Sequence, residues 1–246
     1  MLDQTLELFV RKLRAHVGLD EDDCNALRAL PHTIRELKSL DYIVRENDVP
    51  SQCAILLRGF AIRQKTDVEG ARQIVGIQIP GDALDMQHLF LDCADHNVQA
   101  LGRVSVAVIP RSALQRVAMA RPTIARAFAV NNQIEASIAR EWLLNIGRRD
   151  ARRRLAHLLC EVAVRLERQQ LVGEYGYELP MTQEQLADTL GLTAVHVNRT
   201  LKSLETSGLI ERAGRAVRFV EPARLQDLAG FTSNYLHLAQ QRAAVT

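Results

Sequence analysis

Between Leu179 and Val220 the side chains with chemistry to offer fall into a pattern. Val197, Leu201 and Leu204 recur at i, i+4 and i+7, the spacing that turns one helix face inward. That spacing forces Val195, Asn198, Arg199 and Lys202 onto the opposite face. Cations and an amide over two turns match the groups that base edges present in the major groove of DNA. Upstream, Thr182-Gln183-Glu184-Gln185 has the form of a capping box, with Thr182 as N-cap and Gln185 reaching back. A short helix burying Leu186, Ala187 and Leu190 follows, then Gly191 as the turn, Leu192 as a core plug and Thr193 as the next cap. Downstream, two β-like runs flank Ala213-Gly214-Arg215 and read as a hairpin wing whose tip offers backbone and an arginine to phosphate. A helix–turn–helix pattern alone also fits an ordinary helical hairpin, and the wing directly behind it favours double-stranded DNA as the partner.

Other chemistry is poorly served. The histidines show no H-x-x-x-H or H-E-x-x-H spacing, and neither a G-x-S-x-G nor a P-loop occurs, so no enzyme is expected. Asp85, His88, Asp92, Cys93, Asp95 and His96 are the one cluster with metal-ligand types; between strands they read as a solvated loop, and no metal or other cofactor is expected. Cys24, Cys53, Cys93 and Cys160 are scattered, which fits reduced thiols in the cytoplasm, all four acting as small buried hydrophobes. The sequence has neither a cationic start leading into an apolar run nor an apolar stretch of membrane-spanning length, so no membrane partner is expected.

The elements that must position the reading helix follow from periodicity. Leu2, Leu6, Phe9, Val10 and Leu13 form a helical stripe, and a second short helix over 20–30 ends at Pro31. From 32 to 109 short apolar runs (42–44, 54–57, 74–79, 104–109) alternate with turns such as Pro80-Gly81-Asp82, the mark of an antiparallel β-roll or jelly roll. A short helix over 111–119 precedes Pro122, which opens a helix reaching Asn145 and closed by Gly147. On it Ile124, Asn131, Ile138 and Asn145 repeat every seven residues with Ala127, Ile134 and Glu141 between, the pattern of a two-stranded coiled coil. Phe128 and Trp142 define a different buried face, so a helix packed on its own domain stays open. On the coiled-coil reading the candidate dimer contacts are Ile124, Phe128, Asn131, Ile134 and Ile138. The run Arg148–Arg154 holds five arginines and one aspartate, and fits a solvated helix face, a phosphate contact or an ion-paired hinge. Residues 1–147 carry 17 Lys/Arg against 18 Asp/Glu, and residues 148–246 carry 14 against 11, so the excess of positive charge lies in the half holding the reading pattern. The fold class is α+β: a sensor domain over 1–110, a dimerisation helix over 111–147 and a winged helix over 148–246.

Thr182 through Ile210 resembles the winged-helix signature of the Crp/Fnr superfamily of transcription regulators: Thr, apolar, Ala, Gly, Ser/Thr, Val, Arg, apolar, Gly-Leu-Ile. The roll and the long helix extend the likeness over nearly the whole chain, leaving a tail helix over Gln226–Thr246 outside it. The resemblance implies a homodimer binding a palindromic operator and working with RNA polymerase. It places Arg199 on a guanine, and Thr182, Thr193 and the Gly214-Arg215 tip on phosphates. Ala194, Val195 and His196 stand where an arginine, a glutamate and a threonine sit in members reading the best-known half-site, so a different operator is expected, with Val195 on a thymine methyl. In cyclic-AMP-binding members a Gly-Glu pair holds the ribose and an Arg-Ser pair the phosphate. Asp85-Met86 and His96-Asn97 occupy those places here, which argues against that ligand. The oxygen-sensing branch holds an iron–sulfur centre on a cysteine cluster near its start, where only Cys24 lies, so that centre is not expected either. The effector is left unassigned. The rival reading is a ligand-binding module whose winged helix contacts protein.

Overall fold

The computed structural model describes residues 4–173 and 176–238. Two compact units emerge: Met1–Lys65, Gly76–Ser137 and Leu236–Thr246 form the first, Thr66–Val75 and Ile138–Tyr235 the second.

The first unit opens with helices α1 (Glu7–His16) and α2 (Glu21–Arg28). Leu6, Phe9, Val10 and Leu13 are buried as the stripe predicts, while Leu2 lies outside the described residues. The Asp20 carboxylate caps α2 by accepting from Asp23 N at 2.7 Å. Strands β1 (Thr33–Leu37), β2 (Tyr42–Val44), β3 (Gln52–Thr66), β4 (Arg72–Gln78) and β5 (Asn97–Pro110) form one sheet in the order β1-β5-β3-β4, with β2 also on β5. The pairs of β1, β2 and β3 with β5 are antiparallel. The apolar runs mark β2, most of β4, the start of β3 and the end of β5, and β1 escapes the sequence reading because four of its five residues are exposed. The β3–β5 register slips on both sides of Arg58. Gly59 allows this, since its φ of +81° is open to glycine and a Cβ there would collide with the Arg103 carbonyl. Leu56, Val98, Val104 and Val106 fill the roll, and a second cluster joins α1, α2, helix α3 (Arg111–Ala120) and the start of helix α4 (Pro122–Arg148).

Two expectations are corrected here. Ile124, Phe128, Asn131 and Ile134 are buried within the single chain and Ile138 is half-buried, so this face of α4 has almost no surface left for a partner. The reason is the competing stripe: Phe128 packs against Phe9 with ring centroids 6.3 Å apart, drawing Ile124 and Ala127 into the core with it. The heptad left exposed or half-buried on the other face is Ala125, Ala129, Asn132, Ala136, Ala139, Leu143 and Ile146, with Leu143 73% exposed. The second correction concerns the acidic and histidine cluster. Asp85, His88 and His96 are buried rather than solvated, and only Asp92, Cys93 and Asp95 are exposed. Among the described residues no three His, Cys, Asp or Glu side chains converge as metal ligands.

In the second unit Gly147 does not close α4, which runs through it to Arg148. Asp150 then caps α5 (Ala151–Arg168), accepting from Arg153 N at 2.9 Å. Leu155, Leu158, Leu159, Val162 and Leu166 of α5 are buried as their spacing predicts. There follow β6 (Tyr177–Glu178), α6 (Gln183–Leu190), α7 (Ala194–Thr206), β7 (Ile210–Ala213), β8 (Ala216–Phe219) and α8 (Pro222–Ala229). The strands form a small sheet in the order β6-β8-β7. The expected tail helix is shorter and earlier than read: α8 starts at Pro222 and stops at Gly230, and residues 239–246 lie outside the described residues.

Candidate nucleic-acid interface

The reading head is built from local signals. Gln185 N donates to Thr182 Oγ1 at 3.1 Å and Thr182 N to Gln185 Oε1 at 2.8 Å, so the capping box is complete and starts α6 at a fixed residue. Gly191 ends α6 in the left-handed conformation at φ 61°, and three residues later α7 begins, its cap Thr193 accepting from His196 N at 3.2 Å. Leu192 between them is half-buried. Val197, Leu201 and Leu204 are buried, and Val195, His196, Asn198, Arg199 and Lys202 are exposed.

Thr193, Val195, His196 and Arg199 line one groove of about 600 Å³, whose far wall is Ala151 and Arg152 in the first turn of α5. Asn198 and Lys202 lie on α7 outside it, and Ala194 is half-buried. Thr182 Oγ1 is committed to the capping box, and Gly214 and Arg215 form the exposed turn between β7 and β8. Among the described residues no hydrogen bond or ion pair engages the side chains of Arg199, Lys202 or Arg215. The other cations of the wing are neutralised: Arg212 pairs with Glu205 at 2.9 Å and Arg218 with Glu211 at 2.5 Å.

The first turn of α5 is not among the DNA contacts named from the sequence, where the arginine run 148–154 fits a solvated face, a phosphate contact or an ion-paired hinge. Most of that run is turned inward. Arg149 pairs with Glu141 at 2.6 Å, and Arg152 donates to Ser207 Oγ at 2.6 Å. Arg154 donates to the carbonyls of Leu190 and Gly191 and, at 3.0 Å, to that of Arg149, setting a cation against the negative end of α6.

In the roll, the places where the family resemblance would put a cyclic nucleotide do not suit one. The Asp85 carboxylate accepts from Ala54 N at 3.0 Å, and burial pushes its pKa up to about 7. His96 is buried against Asp95 at 2.7 Å, and burial holds its pKa below the usual imidazole value, so it is not a standing cation. Arg63 pairs with Glu135 at 2.8 Å and donates to the Ala83 and Leu84 carbonyls, while Lys12 pairs with Asp82 at 2.8 Å. Both of these cations are thus already engaged by a carboxylate.

Comparison with known proteins agrees with this architecture. A family model described as a Crp-like helix-turn-helix domain matches residues 153–228, and one described as a cyclic nucleotide-binding domain matches residues 34–121. The nitrogen fixation regulation protein FixK of Bradyrhizobium diazoefficiens is 30% identical over 213 residues, covering 84% of this chain and 87% of that protein. The transcriptional activatory protein AadR of Rhodopseudomonas palustris is 33% identical over 186 residues, 75% of this chain and 76% of that one. Among solved structures, FixK2 from Bradyrhizobium japonicum superposes with a TM-score of 0.76 at 26% identity, covering 82% of this chain and all of that one. A complete reading head behind a β-roll, found in relatives of nearly the same length, leads to one assignment: the chain belongs to the Crp/Fnr family of DNA-binding transcription regulators.

Proposed function

We propose that the protein acts in the cytoplasm as a homodimer on a two-fold symmetric operator, with α7 of each copy in a major groove. The observation that carries this reading is the exposed face of α7, where Arg199 and Lys202 have no partner among the described residues beside an apolar Val195. Arg199 would contact a guanine edge and Val195 a thymine methyl, with Asn198, His196 and Lys202 completing the set. Thr193, Ala194 and the Gly214-Arg215 tip would lie against phosphates, as would the backbone at Thr182, whose hydroxyl is otherwise engaged. The domain division at 110 and 147 is kept as the functional one, with RNA polymerase as the further partner. Dimerisation is assigned to the outward heptad Ala125, Ala129, Asn132, Ala136, Ala139, Leu143 and Ile146, whose four-three spacing suits a close coiled coil. No cyclic nucleotide is assigned to the roll.

A gel shift on fragmented promoter DNA tests this directly. The expected result is a subset of fragments retained at salt concentrations that release the rest, because only base contacts survive the loss of counterion release. Uniform release of every fragment as salt rises would overturn the reading.

A further inference from the structure

The C-terminal segment just beyond the matched winged helix has a role that the reading head itself does not explain. The match ends at residue 228, and Gly230 then turns the chain so that Phe231 and Tyr235 fold back onto α5. Phe231 meets the buried His157 ring edge-on at 5.2 Å, and Tyr235 stacks on it at 5.8 Å. The Tyr235 hydroxyl donates to Glu161 Oε2 at 2.8 Å. Glu161 is 0% exposed, and its other donors are Arg165 at 3.4 Å and the Trp142 indole at 3.1 Å. Trp142 belongs to α4, Glu161 to α5, and only Arg149 and Asp150 separate the two helices. Glu141 also approaches His157 Nε2, at 3.2 Å, beneath the same two aromatic rings, but burial lowers the His157 pKa to about 4, so the contact is not an ion pair at neutral pH. A link of two residues can pivot; besides the bonds at the link itself, Asn145 to the Arg154 carbonyl at 3.2 Å and Arg149 to Glu141 at 2.6 Å, the end of α4 is tied to α5 by this buried cluster, which is complete only with Tyr235 in place.

We propose that the segment Phe231–Tyr235 is an intramolecular clamp on the α4–α5 junction, and that reading a two-half operator depends on it. The inference rests on the dimeric reading above, since α4 carries the assigned dimer face while α5 walls the groove beside α7. A buried carboxylate left one donor short favours an opened junction. Opening lowers the competent fraction, and apparent operator affinity falls with it. Non-specific phosphate binding needs no fixed spacing and should not change.

The test uses the full chain carrying Tyr235→Phe or Phe231→Ala, with a duplex selected by the wild-type protein from a random pool. Trp142 is the sole tryptophan and reports on the cluster directly. Expected are a red shift of its emission and a loss of operator affinity of about three- to tenfold, the scale of one lost buried hydrogen bond acting through the competent fraction. Sedimentation mass and affinity for unselected DNA should stay as in the wild type. An emission shift with unchanged operator affinity would overturn the proposal, as would an equal loss on selected and unselected DNA, which would mark the segment as mere support for the fold. Unchanged emission in both variants would also overturn it. If the wild-type protein selects no duplex, the dimeric reading itself has failed, a separate outcome from any of these.

Discussion

Arg199 and Arg215 are both exposed arginines of the reading head, yet their surroundings predict different behaviour. Arg199 projects from α7 beside Val195 in a groove, whereas Arg215 stands on the wing tip. Arg199→Ala should cost about 1–3 kcal/mol of specific binding and relax preference at one G·C pair. Arg215→Ala should weaken all sequences alike and lower the salt slope by about one unit. Selection and titration with both variants decides, and exchanged phenotypes would mean that the wing reads bases. At this scale the sequence is a good guide where the partner is close in the chain: Thr182 and Gln185 find each other three residues apart, and helix period alone turns Val197 inward and Arg199 outward. It is a poor guide where the partner is distant. Nothing near Arg154 announces that its guanidinium will hold the carbonyls of Leu190 and Gly191, so five clustered arginines resemble a surface patch until the fold is known.

Helix α4 shows the same limit for a whole element. Both of its faces carry four-three spacing, and periodicity cannot choose between them; the large rings of Phe128 and Trp142 do, by burying their own side. The two faces should therefore answer differently to a charge. Leu143→Asp, on the exposed face, should give a folded monomer, because symmetry sets two like charges opposite each other in the seam. Ile134→Asp should instead lower the melting temperature sharply, since an unpaired carboxylate in the chain's own interior costs several kcal/mol. Sedimentation and thermal melting of the two variants separate these outcomes. A stable dimer with Leu143→Asp would return the interface to another surface. The roll was legible as a class because short, largely apolar buried stretches of its strands alternate with turns, but β1 was lost because four of its five residues are exposed.

For the molecule as a whole, the assignment of a regulator follows from the reading head, and the roll is the place to test for a ligand. If the roll bound cyclic AMP in its native state, ligand at about 100 times its dissociation constant would add roughly 2.7 kcal/mol of stability. With Arg63 and Lys12 already paired to Glu135 and Asp82, no rise in melting temperature is expected at millimolar cyclic AMP. A clear upward shift would show that the roll binds the ligand in spite of these pairs. The engagement of these cations was illegible in the sequence for a physical reason: Lys12, Arg63, Asp82 and Glu135 come from a helix, a strand, a turn and another helix, and their pairing exists only once all four are packed together.

The β3–β5 ladder also bears on how the molecule comes into being. Its pairs run from Gln52 against Pro110 to Gln64 against Asn97, so β4 and the turn over Met86–Leu89 must be gathered in before the two long strands can meet. Contacts between distant stretches of chain form slowly, because loop closure precedes any strand pairing. The winged helix, by contrast, joins α6 to α7 across three residues and β7 to β8 across two. Refolding from the fully unfolded chain should therefore show the reading head forming before the roll, because its contacts are local and those of the roll are not.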